Sequence, residues 1–119
     1  MIVDLEHHFR IAREGVGNTV ERTWTSEGRF KYSQGNSGAD VDRHLWFMDE
    51  AGIDVSVLSG NLEGATLDGV KRWNDACARA VSDHPTRFAG LACAMPLGGD
   101  AALDELDRAV NELGMKGVH

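Results

Sequence analysis

The residues whose types and spacing could do chemistry lie near the N-terminus: Glu6 and His8, in the run Ile2-Val3-Asp4-Leu5-Glu6-His7-His8-Phe9. Side chains alternate across an extended strand, so Asp4, Glu6 and His8 point one way and Leu5, His7 and Phe9 the other. Glu6 and His8 then offer a carboxylate oxygen and an imidazole nitrogen to one point. That pair suits a divalent metal, zinc first, with manganese as the alternative. His7 falls on the opposite face, where it packs between strand and helix or bonds a backbone carbonyl. Taken alone, Glu-x-His at a strand end is a weak signal, because simple surface polarity is the commoner reason for it. Its weight depends on the strand that carries it.

That strand opens a regular series. Residues 10–39 carry Gly15, Gly17, Gly28, Gly35 and Gly38 with no sustained period. A loop this long is uncommon in a compact domain unless it is functional, so 10–39 is expected to be a long active-site loop. Within it, Thr23-Trp24-Thr25 and Arg29-Phe30-Lys31-Tyr32 can pair across Ser26-Glu27-Gly28 as a hairpin. Asp40 then caps a helix with Val41, Leu45 and Met48 on one face, and Gly52 stops it. Ile53 to Leu58 reads as a strand closed by Ser59-Gly60-Asn61. Thr66 caps a second helix with Leu67, Val70, Cys77 and Val81 on one side, and His84-Pro85 ends it. Phe88 to Met95 reads as a strand covered on both faces. Asp100 opens a third helix with the stripe Leu103, Leu106, Val110 and Leu113. Met115 to His119 begins a fourth strand.

The alternation of strand and helix specifies an α/β fold with parallel strands. Three helices cannot cover both faces of four parallel strands, and no helix follows the last one. The expectation is that residues 1–119 are a partial (β/α) barrel domain, truncated at the C-terminus, about four β/α units of a (β/α)8 barrel. A half-barrel completed by another chain is the alternative. In a barrel, residues at the C-terminal ends of strands face the mouth where active sites lie, which is where Glu6 and His8 fall.

The first strand resembles the metal motif of the amidohydrolase family that includes aminocarboxymuconate semialdehyde decarboxylase. Most relatives have His-x-His there. A subset similar to the γ-resorcylate and 5-carboxyvanillate decarboxylases has Glu-x-His, the form at Glu6 and His8. Further stretches agree in order: Phe47 to Leu58, Trp73-Asn74-Asp75, His84 to Gly90 and Glu112 to Val118. Only the loop 10–39 is left unaligned. The resemblance implies a barrel of about 250 residues or more. It also implies further ligands, a histidine and an aspartate, beyond His119, so the 119-residue chain alone is expected to be inactive.

The resemblance implies a metal-dependent non-oxidative decarboxylase of a small aromatic or unsaturated carboxylic acid. A metal-dependent hydrolase using activated water is the alternative, and a non-catalytic α/β binding module is the second. Arg10, Ser59 and Asn61 are candidates to bind the substrate; Arg22, Arg29 and Lys31 are further cations of the loop. Trp24, Phe30 and Tyr32 are expected to anchor it. A net charge of -7 without a Lys/Arg cluster speaks against nucleic acid and anionic membrane as partners. No apolar run approaches the roughly 20 residues that span a bilayer, and no basic, apolar leader opens the chain, so a cytoplasmic protein is expected, as a homo-oligomer or a monomer. Cys77 and Cys93 read as small buried thiols. Trp46 and Trp73 read as packing residues, and Asn74 as a tie between helix and loop. His44 is expected at the surface, and Asp49, Glu50, Asp104, Glu105 and Asp107 on solvated faces.

Overall fold

The computed structural model describes residues 1–17, 21–33, 35–60 and 66–119. The first strand, β1, runs Val3–His8. The segment after it folds into an antiparallel hairpin, β2 (Glu21–Trp24) with β3 (Phe30–Ser33), in which Trp24 faces Phe30 and Thr23 faces Lys31. A short 3₁₀ turn, Ser37–Ala39, leads into α1 (Val41–Ala51). There follow β4 (Val55–Ser59), α2 (Leu67–Asp83), β5 (Phe88–Gly90) and α3 (Asp100–Asn111). Strands β1, β4 and β5 form one parallel sheet in that order. Among the described residues no helix is long and apolar enough to cross a membrane.

The helix boundaries follow the expected chemistry. The Asp40 side chain accepts the Arg43 N–H and that of Thr66 accepts the Gly69 N–H, so each satisfies an otherwise orphaned donor. Gly52 ends α1 with φ 68, a left-handed conformation that suits glycine. The core lies between sheet and helices. Met48 of α1, Leu58 of β4, Val70, Trp73 and Cys77 of α2, and Phe88 of β5 are buried together there. Burial pushes the Cys77 thiol up to about 12 and that of Cys93 up to about 11. Both are buried free thiols, inert as nucleophiles near neutral pH.

Several details depart from the expected pattern. The third strand is shorter than Phe88 to Met95. Leu91 N–H still reaches Leu58 O, but Cys93 N–H donates to the Asn74 side chain, and the ladder ends there. On its other side this segment meets the chain end: Lys116 N–H bonds Gly90 O, Ala92 N–H bonds Gly117 O, and His119 N–H bonds Ala92 O. The expected fourth strand therefore lies parallel beside the third, although only Ala92 and Val118 form a bridge. In α3 the buried face is Ala102, Glu105 and Ala109, while Leu103 and Val110 are exposed. The helix is rotated because Glu105, at 3% exposure, is drawn inward by Asn74 and Arg108 rather than solvated. His44 is buried too, at 9% exposure, because it shares the apolar face of α1 with Met48. Trp46 is exposed and packs edge-on against Phe47. Trp24 and Phe30 contact each other across the hairpin and stay exposed, so they hold the hairpin together instead of tying it to the core.

Arg87 explains one sequence landmark. Its guanidinium donates to Asp49 Oδ1 at 2.8 Å, Asp54 O at 3.0 Å and Ile53 O at 3.2 Å, clamping the end of α1 to the start of β4. Arg87→Ala is expected to lower stability by about 2 kcal/mol, since charge-assisted bonds to backbone carbonyls are lost. A urea-denaturation midpoint unchanged from wild type would count against the clamp.

Candidate metal centre

Strand β1 is not regular. Asp4 pairs with Ser56 and His7 with Leu58, so three steps along β1 match two along β4. This is a β-bulge, and it moves Asp4 off the face that strict alternation assigned to it. Asp4 and His7 are the partly buried residues of the strand, while Val3, Leu5, Glu6 and His8 are exposed. Beyond the bulge the alternation holds: His7 and Phe9 turn toward α1 and α2, and His8 turns away, beside Ser59.

Glu6 and His8 come together as expected. Glu6 Oε1 lies 3.9 Å from His8 Nε2, with the side chains 80% and 58% exposed. Two donors that each sit about 2.1 Å from one ion are about 3–4 Å apart, so the pair fits a single divalent ion. Among the described residues no group of three or more His, Cys, Asp and Glu could hold a metal. The pair alone therefore offers two exposed donors.

The other expected site residues divide. Ser59 lies beside His8 in the β1–β4 ladder, and its buried hydroxyl has no hydrogen-bond partner among the described residues. Asn61 lies outside the described residues, as do the side chains of Arg22, Lys31 and Tyr32. Arg10 lines a cleft of about 450 Å³ against α2, with Phe9, Ile11, Arg72, Asp75 and Arg79. Arg29 pairs with Glu27 in the hairpin turn.

Two polar networks lie in the layer between sheet and helices; sequence reasoning missed the first, and of the second it had only Asn74 as a tie between helix and loop. In the first, His7 Nδ1 is 2.9 Å from Asp4 Oδ2, His7 Nε2 is 2.5 Å from His44 Nδ1, and His44 Nε2 is 2.9 Å from Gly38 O. Burial holds the His44 pKa below its ordinary value. Asp4 is likewise held below the usual carboxylate value: burial opposes its charge, but the bonds from His7 and the Glu6 N–H outweigh it. In the second network, Asn74 Nδ2 donates to Glu105 Oε1 at 2.9 Å and to Cys93 O at 3.3 Å, while Asn74 Oδ1 accepts from Cys93 N at 2.9 Å. Arg108 links Glu105 to Asp75. Both had a sequence signal: His44 falls three residues after Val41, and Asn74 four after Val70, each within its helix's apolar stripe.

The parallel β/α sheet thus carries a carboxylate–imidazole pair at the C-terminal end of its first strand. The amidohydrolase family profile matches residues 3–119, and the chain belongs to that family. It is 39% identical over 86 residues to the γ-resorcylate decarboxylase of Rhodococcus jostii (strain RHA1), covering 65% of this chain and 26% of that protein. Among solved structures, it is similar to 2,6-dihydroxybenzoate decarboxylase from Rhizobium, with TM-score 0.67 and 32% identity over 98% of this chain and 37% of that one. It is also similar to a dihydroxybenzoic acid decarboxylase from Polaromonas sp. JS666 with bound manganese and the inhibitor 2-nitroresorcinol. That match has TM-score 0.62 and 28% identity, over 98% of this chain and 37% of the other. The chain spans about a quarter of the length of the curated relatives it matches. Its fold is that of the N-terminal part of a (β/α)8 barrel.

Proposed function

We propose that the protein carrying this chain is a metal-dependent, non-oxidative decarboxylase of a small aromatic carboxylic acid, with Glu6 and His8 as two ligands of its divalent ion. The observation that carries this reading is the convergence of Glu6 Oε1 and His8 Nε2 at the end of β1. The names of the relatives, decarboxylases of dihydroxybenzoates, support the reaction class. The manganese in the Polaromonas structure supports manganese as readily as zinc. When bound, the ion would supply positive charge that holds the substrate's oxygens.

The chain's own residues have narrower tasks. Glu6 and His8 hold the ion. Ser59 lies beside His8 with its hydroxyl buried and unpartnered among the described residues, and is a further candidate to meet the substrate. Arg10 and Asn61 remain candidates to hold the substrate carboxylate, Arg10 through a charge-assisted pair. In the reaction the bond between ring carbon and carboxylate breaks, its electron pair passes to the ring carbon, that carbon takes a proton, and carbon dioxide leaves.

Two measurements test the proposal. Metal analysis of the purified protein is expected to find about one divalent ion per chain, lost in the Glu6→Ala/His8→Ala double variant. Unchanged metal content in that variant would overturn the ligand assignment. Carbon dioxide release from a panel of hydroxybenzoates tests the chemistry. Turnover of esters or lactones without carbon dioxide would place the protein with the hydrolases of the family instead.

A further inference from the structure

The Asp4–His7–His44 chain has no task in the proposed reaction, and its chemistry is unusual for its place. It lies between strand and helix, in a layer filled elsewhere by Met48, Leu58, Val70 and Trp73. Burying polar rings there costs more than apolar packing of the same volume unless each polar atom is matched. Each is. The Gly38 carbonyl can only accept, so His44 Nε2 donates to it. His44 Nδ1 is then the acceptor, and His7 Nε2 donates to it. The other ring nitrogen of His7, Nδ1, lies 2.9 Å from the Asp4 carboxylate.

The same carboxylate controls the bulge. Asp4 Oδ1 accepts the backbone N–H of Glu6 at 3.1 Å, while Oδ2 takes His7. One side chain therefore fixes the backbone of the first metal ligand and the residue immediately before the second. Without the extra residue, Asp4 would share the mouth face with Glu6 and His8, and a second carboxylate would crowd the ion.

We propose that Asp4, His7 and His44 are positioning residues for the metal pair: their hydrogen-bonded chain, anchored on Gly38, holds the bulge that aims Glu6 at His8. This rests on the reading of Glu6 and His8 as metal ligands. Residues that orient ligands from behind typically change metal affinity by about 10–100-fold when replaced.

The test is Mn²⁺ titration of the full-length protein, read from the electron paramagnetic resonance signal of the free ion, with circular dichroism to verify folding. His44→Leu keeps the volume but breaks the chain, and is expected to weaken Mn²⁺ binding about 10–100-fold. His44→Gln can still donate to Gly38 and accept from His7, and is expected to restore most of the affinity. If His44→Leu fails to fold, Asp4→Ala carries the same expectation, because it removes the carboxylate that meets both the Glu6 N–H and His7 Nδ1. Mn²⁺ binding by a folded chain-breaking variant equal to wild type would overturn the positioning role alone. So would a loss in His44→Gln as large as in His44→Leu. No Mn²⁺ uptake by the wild-type protein would overturn the metal reading and the positioning role together.

Discussion

Asn74→Ala is expected to cost about 3–4 kcal/mol of stability, a large part of what holds a typical domain folded. Asn74 is completely buried, and its amide makes all three of its bonds in the dry layer between α2, α3 and the segment after β5. Removing it leaves the Cys93 N–H without a partner, a loss of about 1–3 kcal/mol, and takes from the Glu105 carboxylate one of its charge-assisted bonds. Asn74→Asp is expected to be worse than alanine, because a second carboxylate would face Glu105 away from water. The measurement is the urea midpoint of each variant in the full-length protein. Acid gives an independent readout. Burial alone would raise the Glu105 pKa, but the bonds from Arg108 and Asn74 outweigh it and hold the carboxyl below its ordinary 4.5. The stability this contributes is complete above 4.5, the unfolded value, and is lost as pH falls through the lower folded value. Asn74→Ala should flatten that part of the acid-stability curve. An alanine variant with the wild-type midpoint and the wild-type acid limb would show that the network contributes little.

Much of this arrangement was legible in the residues. The strand–helix alternation, the caps Asp40 and Thr66, the stop at Gly52 and the hairpin around Ser26-Glu27-Gly28 all follow from local chemistry, and local chemistry is what periodicity reports. Glu6 and His8 were legible because two residues apart on a strand means one face. Asp4 was not, because a bulge is one extra residue in a ladder, and nothing in Val3-Asp4-Leu5-Glu6 marks where β4 will refuse to match it. His44 and Glu105 were misplaced for a related reason. A polar residue is assigned to solvent unless a partner is known, and their partners, His7 and Asn74, lie 37 and 31 residues away in sequence. The stripe Val70, Trp73, Asn74, Cys77 shows what such a residue looks like beforehand: a polar side chain at an apolar position, with its bonds to be accounted for. The third helix was rotated by the same pairing, which outweighed the burial of Leu103 and Val110.

Gly60→Ala is expected to destabilise the fold by about 3 kcal/mol, at the upper end of what overpacking usually costs, and to disturb the mouth beside His8. A methyl group there would lie 2.4 Å from Trp73 Cε2 and 2.5 Å from its Nε1, closer than any real contact. The ring has little room to retreat. Trp73 is 1% exposed, meets Phe9 edge-on with centroids 6.2 Å apart, and donates its Nε1–H to Phe9 O at 3.1 Å. Displacing it would release the segment that follows β1, so the disturbance passes from the end of β4 to the end of β1. Both ends bear on the Glu6–His8 pair, since Phe9 N–H also bonds Ser59 O at 2.8 Å, next to His8. The decisive comparison is a double-mutant cycle with Trp73→Phe. Phenylalanine lacks the five-membered ring that supplies Nε1, so it relieves part of the clash while losing the bond to Phe9. If contact with the indole is the cause, Gly60→Ala should cost at least about 1 kcal/mol less in the Trp73→Phe background than in wild type. Additive effects would assign the cost to the Gly60 backbone instead of to Trp73, and would leave the tie between the two strand ends resting on the Phe9–Ser59 bond alone.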